Sequence, residues 1–484
     1  MTSRIKEADG NHASSPKNQL KAAAATGGGF GYTPIPTPSP PRILSPLVDL
    51  QEVHNISDQL EMYGGNDSDD DTCCSDSSAY DLGRSSHETS VHHGTATPTQ
   101  MVVNIFISFV GAGLLGLPYA FSRSGWLLGT FCLATVSIGN VYSMLLLVKC
   151  RKRLESYGCR RRIKGYGDLG REILGPKGEM LVNVCLVVSQ AGFAIAYLIF
   201  IAANVQKITS GSTGRATVVF GCVPLLSILI QFRDMKTLSP FSTVADIANL
   251  LGLTSVFIQD FKYNTHSDNV KGVDFAGLVY VTSVCMYSLE GAGLILPLEN
   301  SCANREDFPR ILKQTLLGIT LLMTFFGTCG YVAFADETAS PISLNLKGET
   351  ATFVQMALCL ALYFTYPIMM FPVSDVLENL FLSDLHKPPR TYGPSRLLRI
   401  CIVLLTATIA YTTPNFGHFL ELVGASICTL LGFILPCIFH MQVFGRAEST
   451  KWERILHVCI IVIGIYFGVV GTVDAIGKLS NNEE

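Results

Sequence analysis

Charge is scarce in this chain. Asp, Glu, Lys and Arg make up 15% of it, while Ala, Val, Ile, Leu, Met, Phe, Trp, Tyr and Cys reach 48%. A soluble domain carries roughly a quarter charged residues, so a surface wetted by water on all sides is excluded for most of the length. The formal net charge of −3 argues against a polyanionic partner. No aromatic-studded basic face for nucleic acid occurs either. The N-terminus is rich in Ser, Pro and Gly and has no early apolar run, so no cleavable signal peptide is expected and insertion relies on internal spans. A metal motif such as His-Glu-x-x-His is missing, and no nucleophile and base stand out as a set. No enzyme, metal or cofactor is therefore expected. Most of the 15 cysteines fall inside apolar runs and read as small core residues, not as disulfide partners.

The first 98 residues stand apart from the rest. A Gly, Pro, Thr and Ser run is followed by the acidic stretch from Asn66 to Ser78. Such composition buries too little apolar area to offset chain entropy, so a disordered cytosolic tail is expected. Its Ser-Pro and Thr-Pro pairs, Thr97 among them, and the Tyr32-Thr-Pro-Ile35 sequence make kinases and trafficking proteins its candidate partners. Cys73 and Cys74 are candidates for palmitoylation.

From Met101 onward, apolar runs of the length needed to cross a ~30 Å hydrocarbon core recur between short polar breaks. The expected spans are 101–122, 126–149, 179–206, 216–232, 237–259, 273–298, 311–335, 351–373, 396–413, 417–441 and 455–477. The fold class is thus an all-α polytopic membrane protein of about eleven helices, forming one transmembrane domain over 99–478. Lys and Arg fix the orientation: the 149–178 connection alone holds ten, from Lys149 to Lys177. A roughly threefold bias follows the alternation through all eleven spans, which puts that connection and the N-terminus in the cytosol. The sequons at Asn55 and Asn66 should then stay unglycosylated.

Two spans carry the functional signal. The first holds Gly111-Ala-Gly-Leu-Leu-Gly-Leu-Pro118, and the sixth holds Glu290-Gly-Ala-Gly-Leu-Ile-Leu-Pro297. Gly costs ~1 kcal/mol and Pro ~3 kcal/mol in a helix interior, so both spans are weak at the same relative depth. Paired interruptions in two halves point to a secondary transporter built from inverted repeats, about 101–259 and 273–441, with 455–477 as an extra span. Breaking a helix in mid-membrane frees N–H groups and carbonyls, which is tolerated where they line a cavity or hold a ligand. The plainer alternative, tight contacts of the small-xxx-small kind, stays open for each glycine taken alone. The duplication, the prolines and an adjacent carboxylate favour a binding break.

That carboxylate is Glu290. No Lys or Arg lies at its depth in any span. A charged group at mid-span costs at least ~2.5 kcal/mol, so it normally faces a cavity and has a task. Reversible protonation suits it, though a permanently neutral Glu hydrogen-bonded to broken backbone would also fit. Asp246 in the fifth span is the other candidate for proton coupling. Glu421, His418, His440 and His457 lie near span ends and read as interfacial.

Further motifs now add up to a pattern. They are Tyr166-Gly-Asp-Leu-Gly170, Ser189-Gln-Ala-Gly-Phe193 with Tyr197-Leu-Ile-Phe-Ile201, Tyr287-Ser-Leu-Glu-Gly291, Leu296-Pro-Leu-Glu299, Tyr366-Pro-Ile-Met-Met370 and Pro414-Asn-Phe416. With the first span they resemble the amino acid/auxin permease family over roughly 98–477. Among its branches the plant vacuolar amino acid exporters look nearest and the animal proton-coupled amino acid transporters further off. The resemblance implies a five-plus-five inverted repeat (LeuT-like) with an added span, neutral amino acid substrates and an acidic-organelle membrane. The chain departs from the wider fold in two places. Span 5 lacks a Lys that some relatives set near a cation site, and span 8 offers Thr365, Tyr366 and Pro367 where a sodium site has paired hydroxyls.

The expected function is transport of small neutral amino acids from an acidic vacuolar or lysosomal lumen to the cytosol, coupled to protons. Backbone around Gly111, Ala112, Gly113 and Gly116 would hold the α-carboxylate. Carbonyls from Glu290 through Gly291 to Gly293 would hold the α-ammonium. Ser189, Gln190, Phe193, Tyr287, Ser288 and Phe364 would shape the side-chain pocket. The alternatives are a sensor that binds without flux and a sodium-coupled transporter of the plasma membrane. A channel would need a continuous polar stripe, and the few polar residues cluster at one depth instead.

Overall fold

The computed structural model describes residues 94–157, 163–232, 245, 247–258, 270–382 and 392–481. Residues 1–93 of the expected tail and Asp246 lie outside the described residues, whereas 94–98 are described. Among those described there is no strand, only an isolated bridge between Ala96 and Cys302. The chain is a multi-pass α-helical membrane protein. Eight of its helices are long and apolar enough to cross a bilayer, a bent pair makes a ninth, and two shorter apolar helices fall on expected spans four and five.

Helix α1 (Pro98–Phe109) starts where a helix should: Thr97 accepts from the Gln100 N–H, Gln100 accepts from the Thr97 N–H, and Pro98 occupies the first turn. It stops at Val110, whose backbone is extended, and α2 (Ala112–Ser124) resumes at an angle of 58°. Gly125, at φ +82°, turns the chain into α3 (Trp126–Ser156) against the backbone of Gly272. A Cβ there would meet both a left-handed conformation and a carbonyl, so only glycine fits.

The short α4 (Tyr166–Leu174) leads into α5 (Pro176–Ile208). The two lie so close that a Cβ on Gly170 would come 2.8 Å from the Gly178 carbonyl oxygen. Helices α6 (Arg215–Leu229) and α7 (Ile247–Ile258) follow. The sixth span is again divided, into α8 (Leu278–Ser288) and α9 (Ala292–Ser301). Then come α10 (Phe308–Phe334), α11 (Glu349–Leu382) and α12 (Tyr392–Thr412). The tenth span runs from α13 (Phe416–Val423) through two π-helical turns, Gly424–Cys428 and Leu430–Ile434, into α14 (Leu435–Glu448). Helix α15 (Lys451–Asn481) closes the described chain.

Burial ranks these helices. The divided segment Phe275–Ser301 is the most enclosed, with 78% of its apolar window buried, and Lys451–Ser480 the least, with 17%. The sixth span is thus central and the last one peripheral. One cation of the ninth span is enclosed and paired. Arg399 is buried with Glu378, its guanidinium also donates to the Ile230 carbonyl at 2.6 Å, and Ser395 donates to the same carboxylate at 2.6 Å. The helix therefore begins at Tyr392, before the expected start at 396.

Residues expected at interfaces are enclosed as well. Glu421 is wholly buried, 3.3 Å from His418 and 3.6 Å from Lys478 of the last helix. His440 and His457 meet with ring centroids 4.8 Å apart, and Tyr142 reaches His457 Nε2 at 2.8 Å. Side-chain pairing between helices, which a linear pattern does not encode, makes these burials tolerable.

Candidate functional site

The two interrupted spans cross each other at their breaks. A Cβ on Gly113, in the first turn of α2, would stand 2.8 Å from the Cα of Ser288 at the end of α8. Reciprocally, a Cβ on Gly291 would run into the ring of Phe109 at the end of α1. The duplicated glycines thus let each break receive the other's last helical turn. Gly116 is set against Leu420, whereas a Cβ on Gly111 would have no neighbour within 4 Å among the described residues. Packing and open space are therefore divided among glycines that look equivalent in the sequence.

The freed backbone groups differ between the breaks. At the first, Gly111 caps α2 without a side chain, and the Leu114 N–H turns back to the Gly111 carbonyl at 3.1 Å. Among the described residues no acceptor reaches the N–H groups of Ala112 and Gly113, although both residues are buried. These are orphan donors at a helix start, the arrangement that favours an anion. At the second break the Ala292 N–H is taken by Glu290 Oε1 at 3.2 Å. The carbonyls of Ser288 and Glu290 accept no hydrogen bond among the described residues. One break offers donors and the other acceptors.

Two asparagines that no motif had singled out serve these breaks. Asn249 of α7 donates to the Val110 carbonyl at 3.3 Å, and Asn140 of α3 donates to the Leu289 carbonyl. Each closes a carbonyl that breaking the helix would leave bare in a dry interior. Each also keeps a buried Oδ1 with no donor among the described residues. Their sequence signal was a lone Asn inside an apolar run, which is easily passed over.

Glu290 itself is half-buried although it stands in the most enclosed span. Among the described residues it forms no ion pair. Its Oε2 lies 3.3 Å, and Asn140 Oδ1 3.5 Å, from where a Cβ on Gly432 would be. Gly432 sits in the second π-helical turn, a local widening often found at functional positions. A glycine there leaves room for two oxygens to face the same space.

The side-chain wall comes from α5 and α8. Phe193 and Tyr287 meet edge to face at 4.9 Å. Ser189 Oγ and Tyr287 OH are buried without a hydrogen-bond partner among the described residues. Ser288 is buried with its hydroxyl returned to the Val284 carbonyl at 2.8 Å, and Gln190 is half-buried. Gly192 packs on Val423 and Gly424 on Tyr287, which brings the tenth span to the same place. Phe364 stands on α11, edge-on to its neighbour Tyr363. The structure thus gathers Gly111 to Gly113, Ser288 to Gly291 and the Phe193–Tyr287 pair, and it sets Gly116 in a helix contact.

Near the C-terminal end of α3, Arg151 is wholly buried. It lies 2.6 Å from Glu299 of α9 and donates to Asn300 Oδ1 at 2.8 Å. The segment before α1 joins this cluster, with the Ala96 N–H on the Ser301 carbonyl and the Ala303 N–H on the Ala96 carbonyl. No sequence motif announced that Arg151, alone among its basic neighbours, turns inward.

Residues 94–477 match the family described as transmembrane amino acid transporter protein. The amino acid transporter AVT3B of Arabidopsis thaliana is 36% identical, covering 78% of this chain and 92% of that protein. Vacuolar amino acid transporter 3 of Saccharomyces cerevisiae is 27% identical over 78% of this chain and 56% of its own length. The proton-coupled amino acid transporter-like protein pathetic of Drosophila melanogaster is 25% identical, covering 80% and 87%.

Proposed function

The chain belongs to the transmembrane amino acid transporter family, and we propose that it moves small neutral amino acids from an acidic vacuolar or lysosomal lumen to the cytosol, coupled to protons. The observation that carries this reading is polarity at the crossed breaks. Among the described residues, the N–H groups of Ala112 and Gly113 find no acceptor and the carbonyls of Ser288 and Glu290 no donor, and Gly113 packs directly on Ser288. A zwitterion has one end for each: α-carboxylate at the start of α2, α-ammonium at the end of α8. The apolar edge of Phe193 and Tyr287, with two spare hydroxyls, suits a small uncharged side chain.

Proton coupling draws support from Glu290. It has a single backbone N–H and no cation for company among the described residues, so it exchanges a proton with whichever side it faces. The names of the yeast and fly relatives point the same way on membrane and ion. The Lys and Arg bias supports a cytosolic N-terminus, and rocking of one bundle against the other gives alternating access.

The test is counterflow of a labelled amino acid panel in vesicles holding the purified protein, with and without a pH gradient. Small neutral amino acids should exchange, and acid on the lumenal side should accelerate their exit. Saturable binding without flux would make the protein a sensor, and stimulation by sodium in place of acid would overturn the coupling.

A further inference from the structure

The basic cluster that ends α3 is divided by helix face. Arg151 turns inward to Glu299, and Arg153 pairs with Glu448. Lys149 and Lys152 point to a third place, a groove of about 380 Å³ between α3 and the start of α10. Its walls are Ile138, Val141, Tyr142 and Leu145 at one end, and Lys149, Lys152 and Lys313 with Pro309 at the other.

The residues on α3 recur at three- and four-residue steps, so they form one stripe along the helix. From Ile138 to Lys152 that stripe runs roughly 20 Å. Its first turns are apolar and its last turns cationic. The division of character is along the helix axis, where an ordinary amphipathic helix divides around it. Ile138 is 72% exposed, so the apolar end lies open to the bilayer.

Three ammonium groups around one groove repel each other. Glu306 answers Lys152 at 3.3 Å, but Lys149 and Lys313 have no ion pair among the described residues. A lone lysine at a helix end simply extends to the headgroup layer. Three converging on one groove leave a positive excess where the apolar stretch of α3 ends.

We infer that this groove is a binding site for an anionic phospholipid, its acyl chain along Ile138, Val141 and Leu145 and its phosphate between Lys149 and Lys313. The chemistry of the two ends selects this occupant. An apolar run followed by a cationic cluster between two spans complements a chain joined to an anion, and basic pockets of this kind hold acidic headgroups. A free phosphate would have no use for the apolar end, and a neutral lipid none for the lysines. The site lies on the helix that also supplies Asn140, so lipid bound there braces the scaffold of the sixth-span break.

The test uses full-length protein in detergent, exposed to equal amounts of phosphatidylinositol and phosphatidylcholine with matched acyl chains, and measures retained lipid by native mass spectrometry. Each lysine at an anionic headgroup is worth roughly a fivefold preference, so the wild type should favour phosphatidylinositol by about tenfold or more. The Lys149→Gln/Lys313→Gln variant should fall to near parity. Both lysines are exposed, so folding is not at risk, and unchanged thermal unfolding checks this. A charge-matched control, Lys177→Gln/Lys451→Gln, removes two other exposed lysines and should keep the preference. Equal retention of both lipids by the wild type, or an undiminished preference in the groove variant, overturns the site. Displacement of the lipid by inorganic phosphate alone would show that the headgroup is held without the chain, and would overturn it too.

Discussion

Glu290, Asn140 and Gly111 stand at the crossed breaks, and the role proposed for each admits a separate test. Glu290→Gln fixes the carboxyl in a neutral form that cannot release a proton. It should keep amino acid counterflow and lose acceleration by a pH gradient, measured side by side in vesicles. Retained acceleration would send the proton elsewhere, with Asp246 the next candidate. Asn140→Leu leaves the Leu289 carbonyl buried and bare, at a cost of about 1–3 kcal/mol. Lower thermal stability and slower flux are expected together, and an unchanged melting profile would show that water replaces the amide. Gly111→Ala is the sharpest of the three. An added methyl there has no neighbour within 4 Å among the described residues, and φ of −137° suits an L residue. Folding should be untouched, or slightly improved, while a substrate carboxylate at the start of α2 would be pushed away. Wild-type KM for amino acid in this variant would remove the carboxylate from that position.

Among the elements, the ends of α3 and α9 are the most exposed to a single charge change. Arg151 and Glu299 are wholly buried partners at 2.6 Å. Removing Arg151 leaves the Glu299 carboxylate buried with no ion pair among the described residues, which costs about 3–5 kcal/mol, whereas removing both is far milder. Arg151→Gln should therefore deplete folded protein in the membrane, and Arg151→Gln with Glu299→Gln should restore much of it. Quantifying inserted protein for the two variants checks this, and a double variant no better than the single would mean that Asn300 and Leu296, which Arg151 also reaches, matter more. The breaks themselves were legible as elements, because Gly-Ala-Gly-Leu occurs twice. Their prolines were less informative: Pro118 and Pro297 lie within α2 and α9, beyond the interruptions. Glycine loses helix propensity where it stands, while proline in a helix disturbs the turn before it. The π-helical turns at 424–434 had no signal at all, since they arise from how α13 and α14 meet their neighbours.

For the whole molecule, the boundary of the transporter can be set by truncation. Ala96 exchanges two backbone hydrogen bonds with Ser301 and Ala303, and Thr97 caps α1. Removing residues 1–93 should leave flux in vesicles close to intact. Removing residues 1–97 takes the bridge and the cap, the latter alone worth about 1 kcal/mol, and should slow transport clearly. Equal flux from both would show that the bridge to α9 is dispensable. Complete loss with the shorter cut would make the tail part of the machine.

Composition and periodicity by themselves determined that this chain lives in a bilayer, roughly where its helices run, and which two are interrupted. Those are one-dimensional properties: an apolar run has a length, and a repeated tetrapeptide has an address. The family was legible from the same motifs. What only the tertiary structure decided is which of the equivalent glycines is packing and which is open, which basic residue of a cluster turns inward, and which asparagines close the broken carbonyls. Gly111 and Gly113 are two positions apart, yet one faces space and the other Ser288. Lys149, Arg151 and Arg153 are neighbours in sequence, yet a helix turns them toward a groove, a buried carboxylate and a surface partner. The reason is that a helix rotates its side chains by about 100° per residue. What each one meets belongs to the neighbouring helix, and no local pattern carries that information.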